Sequence, residues 1–341
     1  MKLKVGVIGC GGIATGRHIP AYINNPNTDL VAVYDSSVEK GEKIEEEYGV
    51  KAYKNLSEML MHPGLEAVSV CTPEMTHRDI VIEALKSGKH VLCEKPMALD
   101  SKQAEEMLKV AKKTKRILMI SYNQRIYEPH WKAKELLKQD IIGKPIAFRS
   151  FLSHGGPEIP YMERTGRSDF FDKNGGNGGV LLSVGCHRID LIPWMFETQI
   201  TEIMTVLDKK KSNGIPIDNE DTAMLLLKCQ NGLSGMLYTS WCVYGCNDRE
   251  THIFGTEGVM KLFEDPWSIA VYKKNGEKIF YDLKKWAARG SEGATEIINR
   301  FISCVLEKKT PFVTPEEGVQ CMKVLDAARR SAKTGTWEKE Y

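Results

Sequence analysis

Residues 5–14, which read Val5-Gly6-Val7-Ile8-Gly9-Cys10-Gly11-Gly12-Ile13-Ala14, decide the fold of the first part of the chain. A short apolar run ends in glycines with the spacing G-x-G-x-x-A, and a helical pattern follows. Gly9 permits a tight turn, Gly11 lets backbone approach a pyrophosphate, and Ala14 allows close helix–strand packing. The free N–H groups of the helix start favour phosphate. The stretch predicts a dinucleotide-binding loop, with an ordinary strand–helix turn as the alternative. Its candidate cofactor-binding residues are Gly9, Cys10, Gly11, Gly12 and Ile13.

An acidic residue, Asp35, follows the next apolar run, Leu30–Tyr34. At about 20 residues beyond the glycines, a carboxylate can accept hydrogen bonds from both ribose hydroxyls of NAD and would repel the 2′-phosphate of NADP. The next residues, Ser36 and Ser37, carry no positive charge. We therefore expect NAD rather than NADP. The alternative role for Asp35 is to cap the helix that begins near Ser37.

The first third of the chain alternates short apolar runs with longer amphipathic segments. The runs lack polar alternation, which is typical of strands buried on both faces of a parallel sheet. The predicted strands are Val5–Ile8, Leu30–Tyr34, Ala67–Cys71, His90–Cys93 and Ile117–Ile120, and the predicted helices are Ser37–Tyr48, Ile80–Lys86 and Ser101–Thr114. The alternation predicts an α/β fold: a Rossmann domain with a doubly wound parallel sheet over residues 1–121.

The pattern changes after Ser121. Asn231-Gly232 and Asn275-Gly276 each separate two strand-like runs and predict β-hairpins. The second domain, residues 122–341, is therefore expected to be α+β with a large, mostly antiparallel sheet. Its C-terminal helix can pack back on the first domain. The other elements predicted there are a helix over His130–Gln139, a strand near Ile146–Leu152, a polar glycine-rich stretch over His154–Gly179, a helix over Val180–Phe196 and a final helix over Pro315–Lys333.

Composition narrows the class of protein. With 47 basic and 45 acidic residues the net charge is +2, so no strong field attracts nucleic acid or an anionic membrane. The nine cysteines are irregularly spaced, which is typical of a reduced chain, and no run approaches the length of a membrane span. The start of the chain does not resemble a signal peptide. These features favour a cytoplasmic protein whose partners are a small molecule and further copies of itself.

Three further segments, together with the glycine loop, make a family resemblance specific. They are Cys71-Thr72-Pro73-Glu74-Met75-Thr76-His77, Glu94-Lys95-Pro96, and residues 178–190 (GGVLLSVGCHRID). In this order they resemble the Gfo/Idh/MocA oxidoreductases, named for glucose–fructose oxidoreductase and inositol dehydrogenase. Gly255-Thr256-Glu257-Gly258 is similar to a late strand–turn signature of that family. The resemblance covers nearly the whole chain.

The resemblance implies roles for individual residues. Lys95 matches the family's lysine beside the nicotinamide, and His187 matches its catalytic histidine. Glu94 matches an acid that contacts the nicotinamide ribose, and the family pattern makes a cis Lys95–Pro96 bond an expectation. Thr72, Pro73 and His77 match cofactor-lining positions.

The chain departs from the family pattern at Ser183, where many members carry an aspartate. If the segment is helical, Ser183 and His187 share one face. A serine can bond the substrate or the ring, but it supplies no negative charge. Asp190 is a candidate to orient His187 instead, and a salt bridge is its alternative role.

These residues suit hydride transfer from a secondary alcohol. Histidine accepts a proton at neutral pH, and a lysine ammonium stabilises developing alkoxide charge. The resemblance implies an NAD-dependent oxidoreductase acting on a sugar, a sugar derivative or an inositol, in a cleft between the domains. The alternatives are a glycosidase or sugar–sugar oxidoreductase that retains NAD, and a dinucleotide-binding protein without turnover.

Other candidates are less specific. Polar groups suited to a polyhydroxyl substrate are Asn123, Arg125, His154 and Tyr161, with Arg164 and Arg167 nearby. Cys242, Cys246 and His252 have a spacing that fits no standard zinc finger, so we expect no metal site. An antiparallel sheet covered on one face favours a homodimer or homotetramer formed through the second domain.

Overall fold

The computed structural model describes residues 2–156, 178–210, 219–245, 247–283 and 292–339. The chain forms two compact units. The first comprises Met1–Asn123 and Arg289–Met322, and the second comprises Gln124–Ala288 and Lys323–Tyr341. Each unit is described in turn.

The first unit contains a six-stranded parallel sheet with the order β3-β2-β1-β4-β5-β6. Its strands are β1 (Leu3–Ile8), β2 (Thr28–Tyr34), β3 (Lys51–Tyr53), β4 (Ala67–Val70), β5 (His90–Cys93) and β6 (Leu118–Ile120). Its helices include α1 (Ile19–Asn24), α2 (Val38–Tyr48), α3 (Leu56–Leu60), α4 (His77–Lys86) and α5 (Ser101–Thr114). The doubly wound parallel domain is confirmed. The short elements β3 and α3 were not predicted, because three to five residues carry too little periodicity.

Local sequence explains where these helices begin and end. The side chain of Asn55 accepts a hydrogen bond from Glu58 N, and that of Asp100 accepts one from Gln103 N, so both cap helix starts. Gly49 ends α2 with φ +67°, a left-handed conformation that glycine adopts without strain. A π-helical turn, Ala14–His18, separates the glycine loop from α1.

The second unit is built on a nine-stranded sheet with the order β14-β13-β12-β11-β7-β10-β9-β8-β15. All neighbours are antiparallel except β7 and β10, which are parallel. The hairpins β9–β10 and β13–β14 are confirmed. The elements are α6 (Glu128–Lys138), β7 (Pro145–Ser153), α7 (Cys186–Phe196), β8 (Ile200–Asp208), β9 (Thr222–Cys229), β10 (Ser234–Ser240), β11 (Thr251–Gly255), β12 (Gly258–Leu262), β13 (Ile269–Lys273), β14 (Lys278–Tyr281) and β15 (Glu338–Lys339). The predicted single helix over 180–196 begins with a π-helical turn, Leu181–Gly185.

The two faces of this sheet differ. One face packs on α6 and α7 through a core that includes Leu136, Leu191 and Met195. Strand register places alternate residues on the opposite face, which we call the outer face. Its centre carries apolar side chains that are between 39% and 51% exposed: Val206, Met224, Leu226 and Met236.

Two helices near the C-terminal end complete the units. α8 (Glu292–Glu307) belongs to the first unit, where it contacts α1 and β5. Phe301 is fully buried, and Asn25 Nδ2 donates to Asn299 Oδ1 at 2.9 Å. α8 was not predicted, although α9 (Pro315–Thr334) was; the boundary between the units falls within α9, after Met322. Among the described residues, no helix has both the length and the apolar character needed to cross a bilayer.

The position of α8 generates a stability prediction. Replacing Phe301 with alanine should lower the free energy of unfolding by about 3–5 kcal/mol, because it removes a buried ring and leaves a cavity. Urea denaturation followed by circular dichroism measures this difference. Leu306→Ala is the matched control, since Leu306 lies on the same helix but is 43% exposed. Equal losses for the two variants would contradict the packing of α8 in the first unit.

Candidate cofactor-binding and catalytic residues

The carboxyl edge of the parallel sheet brings four loops together in the first unit. Cys71 N donates to Ile8 O at 2.8 Å, Glu94 N donates to Val70 O at 3.0 Å, and Ser121 N donates to Cys93 O at 2.9 Å. The loops that follow β1, β4, β5 and β6 therefore start side by side. Open α/β sheets bind ligands at this edge.

The glycine loop fits a dinucleotide phosphate. Gly9 has φ +90°, and a Cβ at this position would lie 2.8 Å from Cys71 O, so only glycine fits. A Cβ at Gly11 would meet no heavy atom within 4 Å, which leaves backbone open to a ligand. Ala14 is fully buried where the helical turn begins, whereas Gly12 and Ile13 are exposed. This geometry matches the expected division of roles among the glycines.

Asp35 connects the glycine loop to the start of α2. Its Oδ2 accepts from Cys10 N at 2.7 Å, and its Oδ1 accepts from Ser37 N at 2.8 Å. The carboxylate is partly exposed, and each oxygen can accept a second hydrogen bond. The two roles predicted for Asp35, binding the ribose hydroxyls and capping the start of α2, are therefore compatible with one position of its side chain. Burial, reinforced by the Asp35 charge, raises the pKa of the Cys10 thiol to about 12, so that thiol stays protonated.

His77 joins two of the loops. Its ring is buried, with Nδ1 2.9 Å from Pro96 O and Nε2 2.9 Å from Thr72 O. Burial lowers the pKa of His77. Because both ring nitrogens face backbone carbonyls, His77 is placed to hold the loops that carry Thr72 and Lys95. Pro73, next to Thr72, is exposed.

Glu94 and Lys95 lie at the end of β5. The Lys95–Pro96 bond is cis, which confirms the expectation. Glu94 is 8% exposed, and its Oε1 receives Ser121 Oγ at 2.8 Å and His18 Nε2 at 3.1 Å. Lys95 is partly exposed between buried neighbours, and its backbone N donates to Glu94 Oε2 at 3.2 Å.

Sequence reasoning missed the polar side chains around Glu94. Tyr22, Ser69 and His18 form a buried hydrogen-bonded chain that ends at Glu94. The available signal was weak: His18 and Tyr22 are four residues apart, and Ser69 interrupts the apolar run of β4. Burial opposes ionisation of Glu94, but the hydrogen bonds from His18 and Ser121 and the charge of Lys95 outweigh it and lower the pKa of Glu94 to about 2.

In the second unit, His187 occupies the second position of α7. Ser183 lies in the preceding π-helical turn, in which Cys186 N donates to Leu181 O. Ser183 and His187 are both partly exposed, whereas Val184, Gly185 and Cys186 between them are buried. The π-turn widens the helix here, so the α-helical spacing expected for Ser183 and His187 does not hold along the whole segment.

Asp190 and Arg125 bind each other. Arg125 Nε donates to Asp190 Oδ2 at 2.9 Å, and Nη2 donates to Oδ1 at 2.6 Å. The side chains are 2% and 1% exposed. The sequence makes Arg125 a candidate substrate contact and Asp190 a candidate either to orient His187 or to form a salt bridge. Their burial as a bidentate pair favours a positioning role for both, because separating a buried pair leaves an uncompensated charge.

Arg188, the residue after His187, is anchored by buried hydrogen bonds. The sequence analysis did not predict this role. Its Nη2 donates to Phe151 O at 3.0 Å and to Arg249 O at 2.9 Å, and its Nη1 lies 3.2 Å from His130 Nε2. Burial, with the Arg188 charge, lowers the pKa of His130 to about 3. His130 is therefore neutral: its Nδ1–H donates to Gln124 O, and its Nε2 accepts from Arg188.

The remaining candidates have mixed positions. Asn123 is 8% exposed, in a 3₁₀ turn over Asn123–Ile126. His154 follows β7, and its Nδ1 accepts from Gly156 N at 3.1 Å. Three candidates from the long loop and one cysteine lie outside the described residues: Tyr161, Arg164, Arg167 and Cys246.

Comparison with known proteins agrees with this geometry. Residues 3–122 match the model of the oxidoreductase family with an NAD-binding Rossmann fold, and residues 130–261 match the GFO/IDH/MocA C-terminal domain. The chain belongs to the Gfo/Idh/MocA oxidoreductase family, and its first domain is an NAD-binding Rossmann domain.

Individual relatives are distant in sequence but match over nearly their whole length. Myo-inositol 2-dehydrogenase of Thermotoga maritima is 27% identical, with 96% of each chain covered. The scyllo-inositol 2-dehydrogenase (NAD(+)) of Bacillus subtilis is 24% identical over 98% of this chain and 95% of the relative. A solved levoglucosan dehydrogenase, in complex with NADH and levoglucosan, has the same fold, with a TM-score of 0.85 at 22% identity and full coverage of both chains.

The glycine loop supplies a binding prediction. Gly9→Ala should weaken NAD binding at least tenfold, because the added methyl meets Cys71 O and φ +90° disfavours alanine. Calorimetric titration with NAD measures the dissociation constant. Gly16→Ala is the control, since a Cβ at Gly16 meets no heavy atom within 4 Å. Unchanged affinity in a folded Gly9→Ala protein would show that this loop does not hold the cofactor.

Proposed function

We propose that the protein is an NAD-dependent oxidoreductase that transfers a hydride between nicotinamide and a secondary alcohol of a sugar, a sugar derivative or an inositol. One observation carries the proposal. A chain of this family keeps both the lysine and the histidine of the catalytic pattern, and Lys95 and His187 are each partly exposed beside buried neighbours. This is the placement expected of groups that meet a ligand while their backbone is held.

The chain's own groups would handle charge and protons. NAD supplies the hydride acceptor when it is bound. The imidazole of His187 would accept the proton that leaves the substrate hydroxyl. The ammonium of Lys95 would stabilise the negative charge that develops on the same oxygen. Ser183 would hydrogen-bond a substrate hydroxyl without adding charge. Asp190, Arg125 and Arg188 would hold α7, which carries His187.

Asp35 supports a preference for NAD over NADP. Its carboxylate ends β2 beside the glycine loop, where it would accept the ribose hydroxyls and repel a 2′-phosphate. The adjacent cofactor-binding groups would be the glycine loop and the lining residues Thr72, Pro73 and Glu94. A relative named as an NAD(+)-dependent inositol dehydrogenase supports the same choice.

The substrate class rests on the relatives. Their names include a myo-inositol dehydrogenase, a scyllo-inositol dehydrogenase and a D-glucoside 3-dehydrogenase, which all act on ring polyols. Among the described residues, Asn123 and His154 remain candidates to bond substrate hydroxyls.

The outer face of the second unit supports self-association. Leu226 pairs with Met236 across β9 and β10, and Met224 pairs with Val206 across β9 and β8, so an apolar row crosses three adjacent strands. Lys228 and Glu202, which form a 2.8 Å ion pair, lie on the same face beyond the row. Contiguous exposed apolar residues are a feature of protein interfaces, and we propose that a second copy of the chain covers this row.

The catalytic roles are tested by turnover. With NAD and a panel of inositols, glucosides and levoglucosan, formation of reduced nicotinamide is followed by absorbance. His187→Asn should lower kcat by roughly 10²–10⁴-fold through loss of the base. Lys95→Met should lower kcat by roughly 10²–10³-fold through loss of charge stabilisation. Repeating the assay with NADP tests the role of Asp35.

Two controls match the substituted residue types. Lys102→Met removes an exposed lysine from α5, and His90→Gln changes a histidine at the amino end of β5. Both should retain wild-type kcat. Wild-type turnover by Lys95→Met or His187→Asn would show that the assigned roles are wrong.

Assembly is tested by sedimentation velocity at micromolar concentration. The wild-type chain should sediment as a dimer or tetramer, and Leu226→Asp should yield monomer, because a buried unpaired carboxylate is costly at an interface. Met61→Lys, which changes an apolar residue that is 76% exposed in the first unit, should leave the assembly intact. A wild-type monomer would refute the interface.

A further inference from the structure

A chain of four polar side chains runs through the core of the first unit to the loop of Lys95. Tyr22 Oη lies 2.6 Å from Ser69 Oγ, Ser69 Oγ lies 3.0 Å from His18 Nδ1, and His18 Nε2 lies 3.1 Å from Glu94 Oε1. Tyr22 and Ser69 are fully buried, and His18 is 1% exposed. Polar groups are costly in a core unless they are hydrogen-bonded, and the hydrogen bonds that link these groups to Glu94 offset that cost.

When the His18 ring is neutral and Glu94 is ionised, the hydrogen bonds have one direction that satisfies every group. A hydroxyl has a single proton to donate, and a neutral imidazole has one donor and one acceptor. Tyr22 O–H donates to Ser69 Oγ, Ser69 O–H donates to His18 Nδ1, and His18 Nε2–H donates to Glu94 Oε1. The chain therefore fixes the histidine tautomer and points a donor at the carboxylate.

Three donors hold the carboxylate of Glu94. Oε1 receives His18 and Ser121, and Oε2 receives the backbone N of Lys95 at 3.2 Å. A carboxylate oxygen has two lone-pair sites, so Oε2 retains an acceptor site. The 8% exposure of Glu94 makes a contact with a ligand possible. His18 lies at the end of a π-helical turn, a feature that often occurs at functional sites.

We infer that His18 is a positioning residue for cofactor binding, which holds the Glu94 carboxylate oriented toward the ribose hydroxyls of the nicotinamide half of NAD. The inference rests on the proposed role of Glu94 as a cofactor contact. It adds a residue that touches no ligand itself and acts through Glu94.

Electrostatics gives the inference a pH signature. Burial alone raises the pKa of Glu94, and the donors around it lower that pKa to about 2. Without the His18 donor, the effect of burial is less opposed and the pKa of Glu94 rises. Below the raised pKa the carboxyl is protonated, so NAD affinity should fall as the pH falls.

Burial keeps the pKa values of the nearby thiols, Cys71 and Cys93, well above the usual range, so these thiols stay uncharged. The groups facing Glu94 are His18, Lys95, His77, Ser121, Cys71 and Cys93.

The experiment measures NAD binding to the full-length chain by calorimetry between pH 5.5 and 8.5. His18→Phe should bind NAD roughly 10–100-fold more weakly, with the loss greatest at low pH, because a hydrogen bond to a charged group is removed. His18→Gln should bind within about threefold of wild type, since its amide can still donate to Glu94. His90→Gln, at the opposite end of β5, should bind like wild type over the whole range.

A double-substitution cycle separates positioning from general damage. If His18 acts through Glu94, then His18→Phe combined with Glu94→Gln should bind no more weakly than Glu94→Gln alone. Additive losses would overturn the inference, as would wild-type affinity of His18→Phe at every pH. If His18→Phe does not fold, His18→Gln provides the test. A folded His18→Gln protein that binds NAD as weakly as Glu94→Gln would overturn the inference.

The readout distinguishes this inference from the proposed function. Wild-type affinity of Glu94→Gln would show that the cofactor contact itself is misassigned, and the role of His18 would be overturned with it. A protein that binds NAD but shows no turnover would contradict only hydride transfer, and the binding series would retain its meaning.

Discussion

The parallel register at the carboxyl edge of the first sheet is the constraint on which the cofactor-binding residues depend. Three backbone hydrogen bonds, donated by Cys71, Glu94 and Ser121, join the ends of neighbouring strands. They place the loops after β1, β4, β5 and β6 in one row. Residues more than 80 positions apart in sequence, such as Gly9 and Lys95, therefore belong to one edge. A shift of one residue in any of these strands would turn its loop away.

Each unit holds its candidate reactive group by burying the residue beside it. In the first unit, Glu94 is buried and bonded while Lys95, the next residue, is partly exposed. In the second unit, Arg188 is buried and bonded to three partners, and His187 before it is partly exposed. A buried polar group with satisfied hydrogen bonds has few alternative positions, so it restricts the backbone of its neighbour. The buried neighbour is a carboxylate, Glu94, in the first unit and a guanidinium, Arg188, in the second.

The two faces of the second sheet have different surroundings. α6 and α7 cover one face with a continuous apolar core, which supports the helix that carries His187. The outer face keeps its apolar centre exposed on β8, β9 and β10. Alternation along antiparallel strands makes this division possible, since successive side chains point to opposite faces. The core that supports α7 includes residues of β11, β12 and β13, whereas the exposed apolar row lies on β8, β9 and β10 of the same sheet.

The sequence by itself determined the Rossmann domain, the glycine loop and both hairpins, because each depends on local spacing or a short motif. The cis Lys95–Pro96 expectation came from the family resemblance. Only the tertiary structure decided that Arg125 binds Asp190, that Tyr22, Ser69 and His18 converge on Glu94, and that α8 returns to the first unit. These contacts join residues that are 47 to 274 positions apart in the chain. Local propensity does not record which distant partner a buried polar side chain meets, since that choice is made when the whole core packs and every buried donor must find an acceptor.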